Sequence, residues 1–418
     1  MKNKKTVLKL LLVIVPLAIV VTVALRAYLQ QEPDLLAGHD RAQNVQVPTT
    51  GNISGGDTTV STKTPTTVNV VSTISAFPFV QRWIAQYEDR QLESSASVNV
   101  DYLTDIEINT AKGDNADNTL AIVGVPNETN SDTLYIPVSA QAIAIVYNIP
   151  SFPDIPSGLK LNSTTLFLIL SGSITQWDDA AIKELNPGLN LPHERIIVIH
   201  NDDDDDKDSQ SYLNGSRNSS PELLLSQYLG HKRFSWPKND SITVSGPPEL
   251  AEMVRKTPYS IGYVDFSYAV QTRMTYAAIG DARDDFIIPS TQSIGRAVNF
   301  ALQFPSSGED EFITPQDQLP PPSPPTINAS RIVNESYSIA GLYYAALSLE
   351  NVYNDTDGEE GKRKIEAILD FVDWITSEGG GQQTLLEVQY PSIYSDNKQL
   401  RAYEMATIDT VKKSLSSQ

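Results

Sequence analysis

The strongest constraint on the fold is a series of short β-branched runs separated by segments with helical spacing. The run AQAIAIVYNI (140–149) is apolar almost throughout, which is typical of a strand buried on both faces. The other predicted strands are VNVVSTI (68–74), SVNVDYL (97–103), TLAIVGV (119–125) and ERIIVIH (194–200). Strands that alternate with helices predict an α/β architecture with mainly parallel sheets.

Helical spacing is clear in two segments. Residues 79–91 place Phe79, Trp83, Ile84 and Tyr87 on one face. Near the end of the chain, Ile365, Ile368, Leu369, Val372 and Ile375 recur at helical intervals, and Gly379-Gly380-Gly381 ends that helix. Ser220, followed by Pro221, is typical of a helix start.

The N-terminus indicates export. Lys2, Lys4, Lys5 and Lys9 precede an uncharged apolar run of 16 residues, Leu10–Leu25. Residues 1–28 therefore read as a signal anchor or a signal peptide, and both alternatives stay open. By the positive-inside rule the rest of the chain lies outside the cytoplasm. We expect a single-pass protein of the cell membrane with an extracytoplasmic globular part, or a secreted protein.

Two regions follow the apolar run. Residues 29–67 are rich in Ser, Thr and Gly and predict a flexible stalk, whereas residues 68–418 have the pattern of a globular domain. Nine N-x-[ST] sequons predict a glycoprotein: Asn52, Asn127, Asn162, Asn214, Asn218, Asn239, Asn328, Asn334 and Asn354.

Charge and cysteine content exclude several functions. The net charge of −20 argues against nucleic-acid binding, which requires clustered Lys and Arg. Because the chain has no Cys, disulfides, thiolate metal sites and Cys nucleophiles are excluded.

One longer motif resembles a known family. LSGSITQWDDAAIKELNPG (170–188) is similar to an element of PstS-type phosphate-binding proteins, the solute receptors of phosphate ABC transporters. Further matches follow in the family's order over about residues 68–405: VYNIP (146–150), LPHERIIVIH (191–200), RKTPYSIGYVDFSYA (255–269) and AILDFVDWITSEGG (367–380).

The resemblance implies a type II periplasmic-binding-protein fold with two α/β lobes and a central ligand cleft. Lobe I would comprise residues 68–147 and 264–418, and lobe II residues 148–263. It also implies a small-molecule ligand, phosphate or another solute, a membrane transporter as partner, no enzymatic activity and no cofactor.

The residues that match the family's ligand loops depart from its pattern. Ser72, Thr73 and Ser75 could still donate hydroxyls, but Glu107 stands where the family has a serine, and no acid accompanies Gly124. His200 is kept, Asn201 replaces the family's arginine, and acids from Asp202 onward replace its Ser and Gly donors. We therefore expect weakened or lost phosphate ligation.

The run Asp202–Asp206 has three interpretations. It is a solvated acidic loop, a Ca²⁺ site built from Asp202, Asp204 and Asp206, or a docking site for a positive ligand or partner. Two other functions stay open as alternatives: a surface scaffold or interaction protein that reuses the fold, and a cation-binding variant. A metal-dependent phosphoesterase has no supporting ligand pattern.

Overall fold

The computed structural model describes residues 66–90, 96–103, 119–126, 133–150, 152, 158–201, 220–230, 235–280, 285–304, 324–328, 331–332, 335–348, 359–395 and 397–416. Thr62–Gln418 form one compact unit. The predicted N-terminal helix and almost the whole predicted stalk lie outside the described residues. Among the helices that are described, none has the length and apolar character needed to span a bilayer.

The described strands follow the predicted runs and add several. They are β1 (Thr66–Thr73), β2 (Ala96–Leu103), β3 (Thr119–Val123), β4 (Thr133–Asn148), β5 (Lys160–Leu161), β6 (Ile197–Asn201), β7 (Ser241–Val244), β8 (Ser260–Asp265), β9 (Ala278–Gly280), β10 (Phe286–Ile287), β11 (Leu302–Gln303), β12 (Thr326–Ile327) and β13 (Ala340–Ser348).

The described helices lie between and after these strands. They are α1 (Phe77–Arg90), α2 (Ser163–Leu170), α3 (Ala180–Leu185), α4 (Ser220–Tyr228), α5 (Pro247–Lys256), α6 (Phe266–Gln271), α7 (Thr291–Ala301), α8 (Glu359–Thr376), α9 (Gly381–Glu387) and α10 (Lys398–Ser416). A 3₁₀ turn, Ile74–Ala76, joins β1 to α1. Both predicted helical faces are buried, that of α1 and that of α8.

The main sheet of the described residues has eight strands in the order β2-β1-β3-β13-β4-β8-β6-β7. The outer pairs are parallel, but β13–β3, β13–β4 and β4–β8 are antiparallel. The prediction of mainly parallel sheets was therefore wrong at the centre, where the sheet is mixed. The reason is that β4 has 16 residues and pairs with β13 along one half and β8 along the other.

Two hydrophobic cores flank this long strand. One contains α1, α8 and the first half of β4, with Trp83, Phe79 and Phe371 fully buried. The other contains the second half of β4 with α2, α5 and β8, and its largest buried side chain is Trp177. The division into two lobes and its boundaries stay predictions.

The 170–188 motif forms a connection that packs against the second core. Trp177 donates its indole N–H to the carbonyl of Tyr259 at 2.9 Å, and Asp179 caps α3 by accepting from the amide of Ala181 at 2.9 Å. The motif thus fixes the start of α3 to the segment before β8.

Candidate functional site

The carboxyl ends of the strands converge on the middle of β4. β1 and β3 are parallel and end side by side, and the end of β3 lies, through β13, at the level of Pro137 in β4. From the opposite direction β8 ends at Asp265, which pairs with Ile143. Residues 138–142 therefore span the gap toward which both sets of strand ends point. In open α/β sheets such a place is where ligands bind.

One face of this gap carries polar side chains. Ser139, Gln141 and Ile143 alternate along β4 and so share a face. Tyr343 pairs with Ser139, and Asp265 pairs with Ile143, so both point to this same face. The candidate site is this face together with the ends of β1, β6 and β8.

The end of β1 carries the hydroxyl groups of Ser72 and Thr73, whose role in ligand binding stays a prediction. Ser72 and Thr73 are buried, and Ser75 in the 3₁₀ turn is half-buried. The Thr73 and Ser75 hydroxyl oxygens lie 3.3 Å apart, and the Ser72 hydroxyl donates to the carbonyl of Thr73 at 3.2 Å. The turn follows β1 because the extended backbone of Thr73 (ψ 144°) gives way to helical geometry at Phe77.

Asp265, at the end of β8, was not predicted. Its Oδ1 accepts from the amide of Ser267 at 2.9 Å, which makes it the N-cap of α6. The hydroxyls of Tyr343 and Tyr390 lie 3.2 Å from Oδ2 and 3.3 Å from Oδ1. Burial raises the pKa of Asp265 to about 6, opposed by these hydrogen bonds. The only sequence signal was an acid ending an apolar run.

His200 and Asn201 lie at the end of β6, where they contact neutral and acidic groups. The His200 ring stacks on Trp236 with centroids 4.5 Å apart, and its Nδ1 lies 2.9 Å from the carbonyl of Asn201. Burial lowers the pKa of His200. The Asn201 amide donates to Glu222 at 2.8 Å, and Glu222 also accepts from the Tyr263 hydroxyl at 2.9 Å. Glu222, a buried acid, was not predicted as a site residue.

Gln141 lies in the middle of the gap and was also missed. Its side chain is 1% exposed, yet neither its Nε2 nor its Oε1 has a hydrogen-bond partner among the described residues. A buried unpaired amide is costly, so an explanation is required. Gln141 was missed because it is a single polar residue within the apolar run 140–149, and nothing in the sequence distinguishes it from an ordinary strand residue.

The charge of the described part of the site is negative or neutral. No described Lys or Arg contributes to the pKa of Asp265. Among the residues that the structure describes, no three His, Asp or Glu side chains form a cluster that could hold a metal ion. Glu107 and the predicted calcium ligands Asp202, Asp204 and Asp206 lie outside the described residues.

The remaining predicted residues have the following positions. Gly124 follows β3 directly, at the gap. Of the sequons, the Asn162 side chain caps α2 by accepting from the amide of Thr165 at 2.9 Å. Asn328 donates to Gln303 at 3.0 Å, and Asn239 is exposed. The other six sequons lie outside the described residues, and glycosylation stays a prediction.

A cavity of about 300 Å³ lies elsewhere. It is bordered by Ile196 and Val198 at the start of β6, by Ser171 and Gly172 of the motif, and by the segment 235–240. These residues are at the amino end of β6 and before β7, away from the converging strand ends.

The comparisons with known proteins agree with this fold. A family model for a PBP superfamily domain matches residues 57–378, most of the chain. The phosphate-binding protein PstS of Methanocaldococcus jannaschii is 28% identical over 262 residues, 60% of this chain and 61% of that protein. PstS of Pasteurella multocida is 29% identical over 238 residues, 57% of this chain and 61% of that protein. The match thus spans about three fifths of the length of these relatives.

Among solved structures, a high-affinity periplasmic phosphate-binding protein, PfluDING, solved with phosphate, is 11% identical. It covers 81% of this chain and 92% of its own, with a TM-score of 0.51, which shows a shared fold. The resemblance to PstS-type phosphate-binding proteins is thereby confirmed. This chain belongs to the PBP superfamily.

Proposed function

We propose that this protein is an extracytoplasmic solute-binding protein of the PstS type, without enzymatic activity, that delivers a small polar solute to a membrane transporter. The relatives named as phosphate-binding proteins support the ligand class, and the convergence of strand ends on β4 supports a binding cleft. The lysines and apolar run at the N-terminus support a position outside the cytoplasm, either attached to the membrane or secreted.

The proposal includes weakened phosphate ligation. The observation that carries it is Asp265, a 4% exposed acid at the cleft, whose pKa is lowered by no Lys or Arg among the described residues. A carboxylate about 4 Å from a phosphate charge costs roughly 4 kcal/mol at an effective dielectric of 20. Absence of one charge-assisted hydrogen bond costs about another 1.5–3 kcal/mol. The neutral hydroxyls of Thr73 and Ser75 do not offset these two unfavourable contributions to the binding free energy.

Gln141 supports the view that a polar group enters the cleft. Its amide offers donors and an acceptor at the floor of the gap, and these groups have no protein partner. A solute that hydrogen-bonds there would remove the cost of the unpaired amide. The same amide carries no charge, so it does not replace a missing arginine.

Isothermal titration calorimetry of the full chain with inorganic phosphate tests this proposal. We expect a dissociation constant above about 100 µM, because the repulsion by the carboxylate and the absent charge-assisted hydrogen bond together lower the affinity by several orders of magnitude. Thr73→Val, which removes one hydroxyl at constant shape, should weaken any residual binding about threefold to tenfold. A micromolar or tighter constant for the unaltered protein contradicts weakened ligation.

A second candidate function is a surface scaffold that reuses the fold. The observation that favours it is the packing of Phe79, Tyr343 and Tyr390, whose ring centroids are 4.7–6.2 Å apart beside Asp265. All three rings are fully buried and occupy one side of the gap. If no small polar solute produces heat in the calorimeter, the scaffold is the better account. The cation-binding variant rests on Asp202, Asp204 and Asp206 and stays a prediction.

A further inference from the structure

The hydroxyl of Tyr390 joins the two sides of the cleft. It lies 2.9 Å from the carbonyl oxygen of Ser75, in the turn between β1 and α1. It also lies 3.3 Å from Oδ1 of Asp265, at the end of β8. Tyr390 is 1% exposed, so water does not substitute for either contact.

A phenol has one hydrogen to donate, but here two oxygen atoms accept. Burial strongly raises the pKa of Tyr390, so the phenol stays protonated. The hydrogen therefore goes to Ser75 or to Asp265, whichever is the stronger acceptor. A carboxylate accepts a stronger hydrogen bond than a peptide carbonyl, whereas a neutral carboxyl group does not. Of the two contacts, the one to Ser75 is the shorter, at 2.9 Å against 3.3 Å.

The surroundings of Asp265 raise its pKa, so that the neutral form dominates only below about pH 6. The titratable groups that face it are two phenols, Tyr343 from β13 and Tyr390 from the segment after α9. α6 contributes backbone amides, and β4 contributes the apolar side chain of Ile143. Within the part of the chain that the structure describes, no charged side chain contributes to its titration, and burial is the largest effect, raising its pKa to about 6.

We propose that Asp265 is a positioning residue that controls the turn after β1 through Tyr390. When Asp265 is neutral, the Tyr390 hydrogen goes to Ser75 and holds the turn; when Asp265 is charged, it takes that hydrogen and releases the Ser75 carbonyl. The proposal rests on the proposed function in one respect: Thr73 and Ser75 are the hydroxyl donors of that cleft. Their placement would then depend on pH.

Hydrogen exchange of the full chain, read by mass spectrometry on peptides that span residues 73–80, tests the proposal. Rates are corrected for the intrinsic pH dependence of exchange. We expect protection of this turn to fall by roughly threefold to tenfold as pH rises from 5 to 8, the equivalent of one hydrogen bond. The midpoint should lie near pH 6, because the folded-state pKa of Asp265 is about 6.

Three variants give matched controls. Asp265→Asn has no charge, so the turn should stay protected at every pH. Tyr390→Phe lacks the shared hydroxyl, so protection should be low and independent of pH. Tyr343→Phe removes the other phenol, which does not contact Ser75, and should keep the pH dependence. If Asp265→Asn does not fold, the two tyrosine variants still decide the outcome.

The proposal is overturned if the exchange protection of residues 73–80 in the unaltered protein does not change with pH. It is also overturned if Tyr390→Phe shows the same pH dependence of protection as the unaltered protein. Because this experiment uses no ligand, it can fail while solute binding is upheld. Conversely, phosphate calorimetry can disprove the proposed function while the turn still responds to pH.

Discussion

At the scale of single residues, two buried glutamines have opposite hydrogen-bonding states. Gln141 and Gln382 are each 1% exposed. The Gln382 amide donates to the carbonyls of Val138 at 2.8 Å and Ile375 at 2.9 Å, and its Oε1 accepts from the amide of Ile393 at 3.0 Å. Gln141 makes no such bond. The two side chains are equally buried, so they differ only in their hydrogen bonds.

We therefore expect opposite effects from the same substitution. Gln141→Leu removes a buried unpaired amide and should raise the free energy of unfolding by about 1–3 kcal/mol. Gln382→Leu leaves two carbonyls and an amide unpaired and should lower it by at least as much. Urea denaturation followed by circular dichroism measures both. Equal destabilisation by the two variants would mean that Gln141 is satisfied in solution, and its assignment to the cleft floor would lose its basis.

At the scale of elements, the connection between α8 and α9 depends on close backbone contact. A Cβ added at Gly381 would lie 2.4 Å from the Cα and 2.6 Å from the carbonyl oxygen of Ile375. Gly381 also accepts the indole N–H of Trp83 at 2.8 Å, which ties α1 to this connection. Gly379, two residues earlier, has no atom within 4 Å of an added Cβ.

Gly381→Ala should therefore destabilise the protein by about 2–4 kcal/mol, because backbone atoms cannot rotate away as a side-chain end can. Gly379→Ala is the matched control and should change stability by less than about 1 kcal/mol. The thermal unfolding midpoints of the two variants measure this difference. A similar midpoint for both would show that the α8–α9 connection rearranges at little cost.

The elements also show what the sequence could and could not predict. The periodicity of α1 and α8 and the apolar runs of β1–β3 predict their elements within a few residues. β13 (Ala340–Ser348) was missed, because its Ala, Leu and Tyr residues suit a helix as well, and its pairing with distant β4 decides the outcome.

Some residues of the candidate site could be predicted from the sequence and others could not. Ser72, Thr73, His200 and Asn201 could be proposed because they align with the ligand loops of the family that the chain resembles. Asp265 lies within the family-like stretch 255–269, but it could not be singled out, and neither could Glu222 or Gln141, since each is placed by contacts between elements far apart in sequence. Glu222, for example, reaches Tyr263 across 41 positions.

At the scale of the whole molecule, the described residues have an α/β fold whose strand ends meet at one long shared strand. Such a geometry suits anion binding when cationic and N–H donors line the gap. Here Asn201 is bonded to an acid, and a second acid, Asp265, is buried nearby. The backbone thus has the fold of the PBP superfamily, while the described side chains at the gap supply hydroxyl, amide and carboxyl groups.

The most direct test of the proposed weakened ligation adds a positive charge at the gap and compares phosphate affinity by calorimetry. The double variant Asn201→Arg/Glu222→Gln introduces a cation at the end of β6 and removes the acid that would pair with it. A regained charge-assisted hydrogen bond predicts a dissociation constant about 10- to 100-fold lower than that of the unaltered full chain. The opposite result, tight phosphate binding by the unaltered chain and no gain in the variant, would contradict the proposal that phosphate ligation is weakened.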